Sequence, residues 1–240
     1  MYPRLVIDLK KVKNNLDRIT EMVKGSGSSL MIVTKGYSAD MEIFKILDGS
    51  DIDYLADSRI QNLKKYEGAK KERVLLRLPM NSETDEVVKY ADISLNSELK
   101  TIKNLNESAK RQNKIHKILL MIDLGDLREG IFFKNEDEIY HTVEEILNLN
   151  NIELFGLGVN LTCYGAVIPK SDNLSILVEI ARKIEKKFDI KLQMISGGNS
   201  SSIYLIGRKE LPEGINNLRV GEAFLLGGET AYSQKLEGFY

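Results

Sequence analysis

The sequence predicts an α/β protein of the (β/α)8, or TIM-barrel, class. Short apolar runs that suit buried strands alternate with longer segments whose apolar residues recur at helical spacing. The strand candidates are near-continuous runs of Val, Ile and Leu, which indicate strands covered on both faces, as in parallel sheets. Eight strand-then-helix units follow one another within the 240 residues. This rhythm favours a closed barrel over an open doubly wound sheet.

The elements are predicted in order along the chain. An opening strand over residues 5–9 and a helix over about 11–23 precede the eight units. The eight strands are predicted at 30–33, 54–56, 74–78, 93–95, 118–122, 154–161, 192–195 and 218–220. The clearest amphipathic helices are predicted at 39–47, 97–111, 137–147 and 173–187. The second, fourth and eighth predicted strands are short. If one of them were not a strand, the α/β class would still be predicted but the eight-stranded barrel would not.

Composition restricts the class of partner. The chain carries 34 basic and 35 acidic residues, so it has no overall field to attract nucleic acid, and we expect a small-molecule ligand. Its one cysteine, Cys163, excludes an intrachain disulfide framework and fits a reducing cytosol. Two histidines and one cysteine make a closed zinc site improbable, so no metal is expected. No signal peptide and no apolar run of about 20 residues is present, so we expect a cytoplasmic protein that does not bind membranes.

A lysine follows the first barrel strand directly. Lys35 comes after the apolar run Leu30-Met31-Ile32-Val33, at the end of the strand where barrels carry their active sites. At the barrel mouth, burial would favour the neutral amine that Schiff-base formation requires. A solvated lysine at the end of a strand is the alternative interpretation.

The loop after the seventh strand, Ser196-Gly197-Gly198-Asn199-Ser200-Ser201-Ser202, resembles a phosphate cradle. Glycines allow close approach of the backbone to a ligand, and consecutive N–H groups with serine hydroxyls can bind phosphate. Gly221 at the end of the eighth strand supports this, because barrels often bind phosphate in the loops after strands seven and eight. A flexible polar turn remains the alternative.

Arginines occur at two further strand ends. Arg219 and Arg128 would be costly in a barrel mouth unless each has an anionic or hydrogen-bonding partner. An internal ion pair with Asp123, Asp126 or Glu222 is the alternative to a ligand-binding role. Cys163 is interpreted as a bystander thiol, because neither histidine lies at the end of a strand where it could activate the sulfur.

Six motifs together resemble a known family. VTKGY, DSRIQN, MIDLGDLREG, GVNLTCYG, SGGNSSS and NNLRVGEAFLLG occur in order on successive strand ends. They are similar to the fold-type III pyridoxal-phosphate enzymes, and within them to the alanine-racemase-like branch that includes ornithine racemase. The resemblance spans nearly the whole chain. It implies pyridoxal 5'-phosphate as cofactor and an amino acid as substrate.

The resemblance also implies roles for individual residues. Lys35 matches the lysine that joins the cofactor covalently and exchanges the α-proton. Ser200, with the backbone at Gly221 and Glu222, matches the phosphate cup. Arg219 matches the arginine at the pyridine nitrogen, and Arg128 matches the one near the phenolic oxygen. Asn160 and Asn199 complete the predicted cofactor site.

Two departures from the family pattern argue against alanine as the substrate. Asn160 stands where alanine racemases place a histidine against the cofactor ring. Met121 stands where they carry a modified lysine that orients the arginine, so Arg128 needs another partner, for which Asp123 is a candidate. Asp126 and Glu129 are candidates for binding the distal ammonium of a basic amino acid, although a solvated loop or a partner for Arg128 explains them equally well.

The resemblance implies more than one domain. We expect residues 1–10 to contribute a strand to the β-rich second domain of the family, residues 11–228 to form the barrel, and 229–240 to begin a connection to that domain. The domain itself is expected to be missing from this chain. Family racemases use a tyrosine from it across a dimer interface, so a homodimer is expected for a form that carries it.

These observations together predict a pyridoxal-phosphate-dependent racemase barrel acting on ornithine or another basic amino acid, with α-proton exchange on the cofactor-bound substrate. The first alternative is a non-catalytic protein of pyridoxal-phosphate homeostasis, which shares the barrel. The second is a phosphosugar-binding barrel, in which the phosphate cup would remain and Lys35 would be dispensable.

Overall fold

Eight parallel strands close into a barrel in the computed structural model, which describes residues 6–162 and 167–240. The barrel strands are β1 (Ser29–Val33), β2 (Tyr54–Asp57), β3 (Glu72–Leu75), β4 (Ile93–Asn96), β5 (His116–Asp123), β7 (Ile152–Gly158), β8 (Met194–Ser196) and β9 (Asn217–Val220). A two-residue strand, β6 (Ile131–Phe132), pairs with the end of β5. Closure comes from β1, which pairs with both β2 and β9, and from the pairing of β4 with β5.

A helix follows each barrel strand, and one more precedes the first. In chain order they are α1 (Leu9–Gly25), α2 (Met41–Asp48), α3 (Ile60–Lys64), α4 (Thr84–Tyr90), α5 (Leu99–Arg111), α6 (Glu136–Leu147), α7 (Ser171–Phe188), α8 (Ile203–Arg208) and α9 (Glu222–Leu226). Alternate strand residues face opposite sides of the sheet. Thus Leu30 and Ile32 pack in the large cluster shared with the helices, while Met31 and Val33 pack in a separate cluster. That second cluster fills the barrel interior.

The structure confirms the predicted barrel and changes some element bounds. The third strand ends at Leu75, although the prediction extends it to 78. The sixth predicted strand ends at Gly158, so Asn160 lies in the following loop. The short helices α3, α4, α8 and α9 and the strand β6 are not among the elements predicted individually.

The predicted opening strand is wrong for the part of it that is described. Residues 6–8 have no regular structure, and Leu9 already begins α1; residue 5 lies outside the described residues. The reason is local, because the Asp8 carboxylate accepts hydrogen bonds from the N–H groups of Lys10 and Lys11 and so caps the helix.

Gly238 and Tyr240, near the end of the sequence, lie against α1. Asn15 on α1 donates to the carbonyl of Tyr240 and accepts from its N–H, and Phe239 is buried. The buried Glu229 carboxylate accepts from the N–H groups of Ala231, Tyr232 and Gln234, which turns the chain back. In the described ranges, no helix is long and apolar enough to cross a lipid bilayer.

A glycine at a strand bulge is required for closure of the barrel. The register between β5 and β7 shifts where Ile118 pairs with Leu154 but Leu119 pairs with Gly156. A Cβ on Gly156 would lie 1.8 Å from the carbonyl oxygen of Met194 on the next strand.

We expect Gly156→Ala to lower the free energy of unfolding by about 3 kcal/mol, because backbone atoms must move. Urea unfolding measures this, and Gly207→Ala on α8, whose Cβ meets nothing within 4 Å, is the matched control that should lose no stability.

A buried histidine makes the stability of the barrel depend on pH. His116 at the start of β5 is 2% exposed, and its Nε2 lies 2.8 Å from the Ser94 hydroxyl. Burial lowers the pKa of His116 to about 4, below its ordinary value of 6.5. Between about pH 6.5 and pH 4, His116 is therefore protonated in the unfolded chain but neutral in the folded chain. The free energy of unfolding falls as the pH drops through this range.

Between pH 7.5 and pH 5, we expect the free energy of unfolding to fall by roughly 2 kcal/mol from this group. The measurement is urea unfolding at both pH values for the wild type and for His116→Gln, which should lack this part of the decrease. His141→Gln, on the exposed face of α6, is the control and should keep it. An equal decrease in wild type and His116→Gln would contradict the assignment.

Candidate active site

A cavity of about 480 Å³ opens at the C-terminal ends of the barrel strands. This volume is typical of sites for small molecules. The residues that line it are Val33, Lys35, Ser58, Leu76, Arg77, Leu95, Arg128, Glu129, Asn160, Thr162, Asn199, Ser200, Arg219, Gly221, Glu222 and Thr230. Nine of the ten predicted site residues are among them, and Asp126 is the exception.

Lys35 stands on a turn that is fixed from behind. It begins a short 3-10 helix, Lys35–Tyr37, and its side chain is exposed in the cavity. The preceding Thr34 is buried, and its hydroxyl donates to the Asp57 carboxylate at 2.6 Å. Asp57 also accepts from the N–H of Arg59 and the side chain of Asn62. The backbone that carries Lys35 is therefore held in place, while its amine contacts no hydrogen-bonding or ionic partner among the described residues.

The aromatic side chain next to this lysine is an unsuitable acid or base at neutral pH. Tyr37 is buried and packs edge-on against Phe224. Burial, together with the nearby Tyr66 and the carboxylates of Asp57 and Asp40, raises the pKa of the Tyr37 hydroxyl well above its ordinary value. Tyr37 therefore stays protonated and serves as packing behind the lysine turn.

The serine loop and the start of α9 form a compact group of donors. The Ser200 hydroxyl accepts from the N–H groups of Gly221, at 3.3 Å, and Ala223, at 3.1 Å. A hydroxyl has two acceptor positions and one proton, so both acceptor positions are taken and the proton is left to donate towards the cavity. The N–H of Glu222, in the first turn of α9, has no partner within the helix. This is the donor set that an anionic group such as phosphate requires.

Arg219 is held rigidly at the bottom of the cavity. It is 3% exposed, and its Nη1 and Nη2 donate to the Ser196 hydroxyl and the Val159 carbonyl, both at 2.5 Å. Ser196 in turn donates to the side chain of Asn217 at 2.6 Å. Gly158 makes room for this arrangement, because a Cβ there would approach the sulfur of Met121 to 2.9 Å and Arg219 Nη1 to 3.7 Å.

Asp123, the candidate partner of Arg128, forms no ion pair or hydrogen bond with it in the structure. The Asp123 carboxylate accepts from the N–H groups of Gly125 and Leu127, and so folds the loop that carries Arg128. Arg128 is exposed at the cavity and forms no ion pair or hydrogen bond within the described ranges. Both backbone hydrogen bonds end on Oδ1 of Asp123, and the guanidinium of Arg128 remains available to a ligand.

The two candidate acids of the same loop are separated by the fold. Glu129 lines the cavity, where one of its oxygens accepts from the side-chain amide of Asn160 at 2.7 Å. Asp126 is buried outside the cavity, and its Oδ1 accepts from the N–H of Val167 at 3.3 Å. Its other oxygen is buried without a partner among the described residues. Asp126 thus lies against the loop after β7 and not against a ligand in this cavity.

Seven lining residues have no role in the sequence-based prediction, and four of them are polar. Ser58 and Arg77 follow β2 and β3, so their position at strand ends is a signal that points to them. Arg77 is paired with Glu83 at 2.7 Å. Thr162 and Thr230 come from loops and carry no such signal. Cys163 lies outside the described residues, and no cluster suited to a metal ion occurs among those that are described.

Comparisons with known proteins agree with this arrangement. Residues 7–228 match the family model "Alanine racemase, N-terminal domain". The chain is 54% identical to ornithine racemase of Acetoanaerobium sticklandii over 238 residues, covering 99% of this chain and 67% of that protein. It is 36% identical to lysine racemase of Thermotoga maritima over 239 residues, covering 99% of this chain and 66% of that protein.

A solved alanine racemase from Clostridium difficile 630 has the same fold, with a TM-score of 0.77 at 19% identity, covering 98% of this chain and 59% of that one. The chain therefore spans about two thirds of the length of the curated relatives and three fifths of the solved structure. The family model covers nearly all of the chain, and the barrel and its cavity are those described above. The chain belongs to the alanine racemase N-terminal domain family.

Proposed function

We propose that this chain is the pyridoxal-phosphate-binding barrel of an amino-acid racemase, and that its substrate is ornithine or another basic amino acid. The observation that carries the proposal is the identity of 54% with an ornithine racemase over 99% of the chain, combined with the position of Lys35 in the cavity. The lysine racemase relative supports the same substrate class.

The residues of the cavity fit the cofactor. It needs an amine for its aldehyde, donors for its phosphate and a partner for its ring nitrogen. Lys35 offers an amine without a partner among the described residues. The Ser200 hydroxyl, oriented by the N–H groups of Gly221 and Ala223, and the N–H of Glu222 offer donors for the phosphate. Arg219 offers a guanidinium whose orientation is fixed by Ser196 and Val159. Pyridoxal phosphate, when bound, supplies a ring that withdraws electrons from the α-carbon.

The chain's own residues then have distinct tasks. Lys35 Nζ removes and returns the proton of the α-carbon on one face of the substrate. The Arg219 guanidinium would keep a ring nitrogen placed beside it unprotonated, because two positive charges in contact repel. This limits charge withdrawal and favours simple return of the proton over side reactions. Arg128 binds an anionic oxygen at the mouth of the cavity, and Asn160 lines the wall next to Asn199 of the serine loop.

Racemisation requires an acid or base on each face of the α-carbon. Lys35 serves one face, and Tyr37 is excluded from the other by its burial and its raised pKa. We assign the second group to none of the described residues.

The chain's single cysteine is consistent with a cytoplasmic enzyme.

Loss of the covalent link tests the cofactor assignment. We expect Lys35→Ala to lack the visible absorbance band that the cofactor gives when joined to a lysine, and to exchange the α-proton of L-ornithine roughly 1,000-fold more slowly. Lys100→Ala, an exposed lysine on α5, is the matched control and should keep the band. Unchanged absorbance in Lys35→Ala would contradict the proposal.

A second measurement separates an enzyme from a non-catalytic cofactor protein. The loaded chain is incubated with L-ornithine in deuterated water, and incorporation of deuterium at the α-carbon is followed by mass spectrometry or NMR. A racemase barrel should incorporate deuterium well above the rate of free cofactor, since Lys35 exchanges the proton with solvent. A band in the absorbance spectrum without any incorporation would instead support the homeostasis alternative.

A further inference from the structure

Three side chains on the cavity wall form a hydrogen-bonded chain with a fixed direction. The N–H of Ser201 donates to Oδ1 of Asn199 at 2.9 Å. Nδ2 of Asn199 donates to the Leu161 carbonyl and to Oδ1 of Asn160, both at 2.9 Å. Nδ2 of Asn160 donates to Oε1 of Glu129 at 2.7 Å.

The backbone decides which way these amides point. A backbone N–H can only donate and a backbone carbonyl can only accept, so Ser201 and Leu161 fix the orientation of the Asn199 side chain from both ends. Asn199 must then present a donor to Asn160, which turns the Asn160 oxygen towards it and the Asn160 nitrogen towards Glu129. This series of hydrogen bonds therefore ends on an oxygen of Glu129, which must act as an acceptor.

This arrangement occupies only one oxygen of Glu129. The side chain is half-buried in the cavity wall, and it forms no ion pair with any described residue. Arg128, the residue before Glu129 in the sequence, forms no ion pair or hydrogen bond with the Glu129 carboxylate. The second oxygen of Glu129 is therefore left to accept a hydrogen bond from a cationic group of a ligand.

The charges of the cavity indicate what that ligand must carry. Lys35, Arg77, Arg128 and Arg219 supply positive charge, which suits a phosphate and an α-carboxylate. The acids of the lining are Glu129 and Glu222, and Glu222 belongs to the first turn of α9 beside the serine loop. Glu129 is thus the acid of the lining that is not part of α9, and it lies on the wall formed with Asn160 and Asn199.

We infer that Glu129 determines specificity by binding the side-chain ammonium of a basic amino acid, and that Asn160 is the positioning residue that holds Glu129 for this contact. The inference rests on the proposed function, since it assigns the substrate side chain to one wall of the same cavity. It selects Glu129 over Asp126, whose carboxylate lies outside the cavity. A site built for a hydrogen-bonding cation strongly rejects an analogue that lacks it.

The test compares two ligands that differ only in the cation. L-Ornithine and L-norleucine have side chains of equal length, ending in an ammonium and a methyl group. Their apparent dissociation constants are measured from the change that each causes in the absorbance of the cofactor-loaded chain. The wild type should bind ornithine at least 10-fold more tightly than norleucine.

We expect Glu129→Gln to weaken ornithine binding roughly 10- to 100-fold, because a charged hydrogen bond is lost, and to leave norleucine binding unchanged. Equal weakening of both ligands, or no effect on either, would overturn the inference. Asp126→Asn is the matched control in the same loop and should keep the preference for ornithine. If it does not fold, the control is Glu138→Gln on the exposed surface of α6.

Asn160 is tested by a double-mutant cycle. Asn160→Ala should weaken ornithine binding several-fold in the wild type but hardly at all in Glu129→Gln, because Asn160 acts through Glu129. Additive losses would mean that Asn160 acts independently and would remove its positioning role. A wild-type chain whose absorbance responds to neither amino acid would instead contradict the proposed function, so the two failures are distinguishable.

Discussion

Closure of the sheet between β1 and β9 is the constraint on which the site depends. Met31 pairs with Arg219, and Ser29 pairs with Asn217, a residue 188 positions away in the chain. Without this pairing the two strands would be opposite edges of an open sheet, because every other neighbour follows chain order. The pairing places the lysine turn after β1 beside the arginine and the glycine at the end of β9. The pairing of β1 with β9 thus brings together the amine of Lys35, the guanidinium of Arg219 and the serine loop.

The barrel interior changes from apolar to polar towards its mouth. Met31, Met121 and Met194 are buried in the apolar cluster of the interior, and the buried Arg219 lies on β9 at the position that pairs with Met31. That charge is tolerated because Ser196 and the Val159 carbonyl accept its hydrogen bonds and Ser196 is itself bonded to Asn217. A guanidinium fixed in this way needs little reorganisation when a ligand arrives.

Polar residues after the strands divide into two groups with different tasks. Asp57, Asp123 and Asn199 use their side chains on backbone N–H groups close by, and so fold the loops. Lys35 and Arg128 follow on the loops thus fixed and are left exposed in the cavity. At β2 and β5 the acidic residue that ends the strand shapes the following turn, and on the loop after β5 the cavity is lined by later residues, Arg128 and Glu129. This separation explains why the expected pairing of Asp123 with Arg128 does not form.

Local sequence determined the barrel and most of the site, because strand and helix periodicity and the residues at strand ends are properties of short segments. Lys35, the serine loop and Arg219 could be assigned to one mouth for that reason. Tertiary structure decided which side chain of each loop faces the cavity. Asp126 lies against Val167, 41 residues away, and Glu129 is bonded to Asn160, 31 residues away. The predicted opening strand is not formed in its described part, because Asp8 caps α1 at residues where the apolar run suggested a strand. Hydrogen bonds between distant residues leave no periodic trace in the sequence, so only the folded chain reveals them.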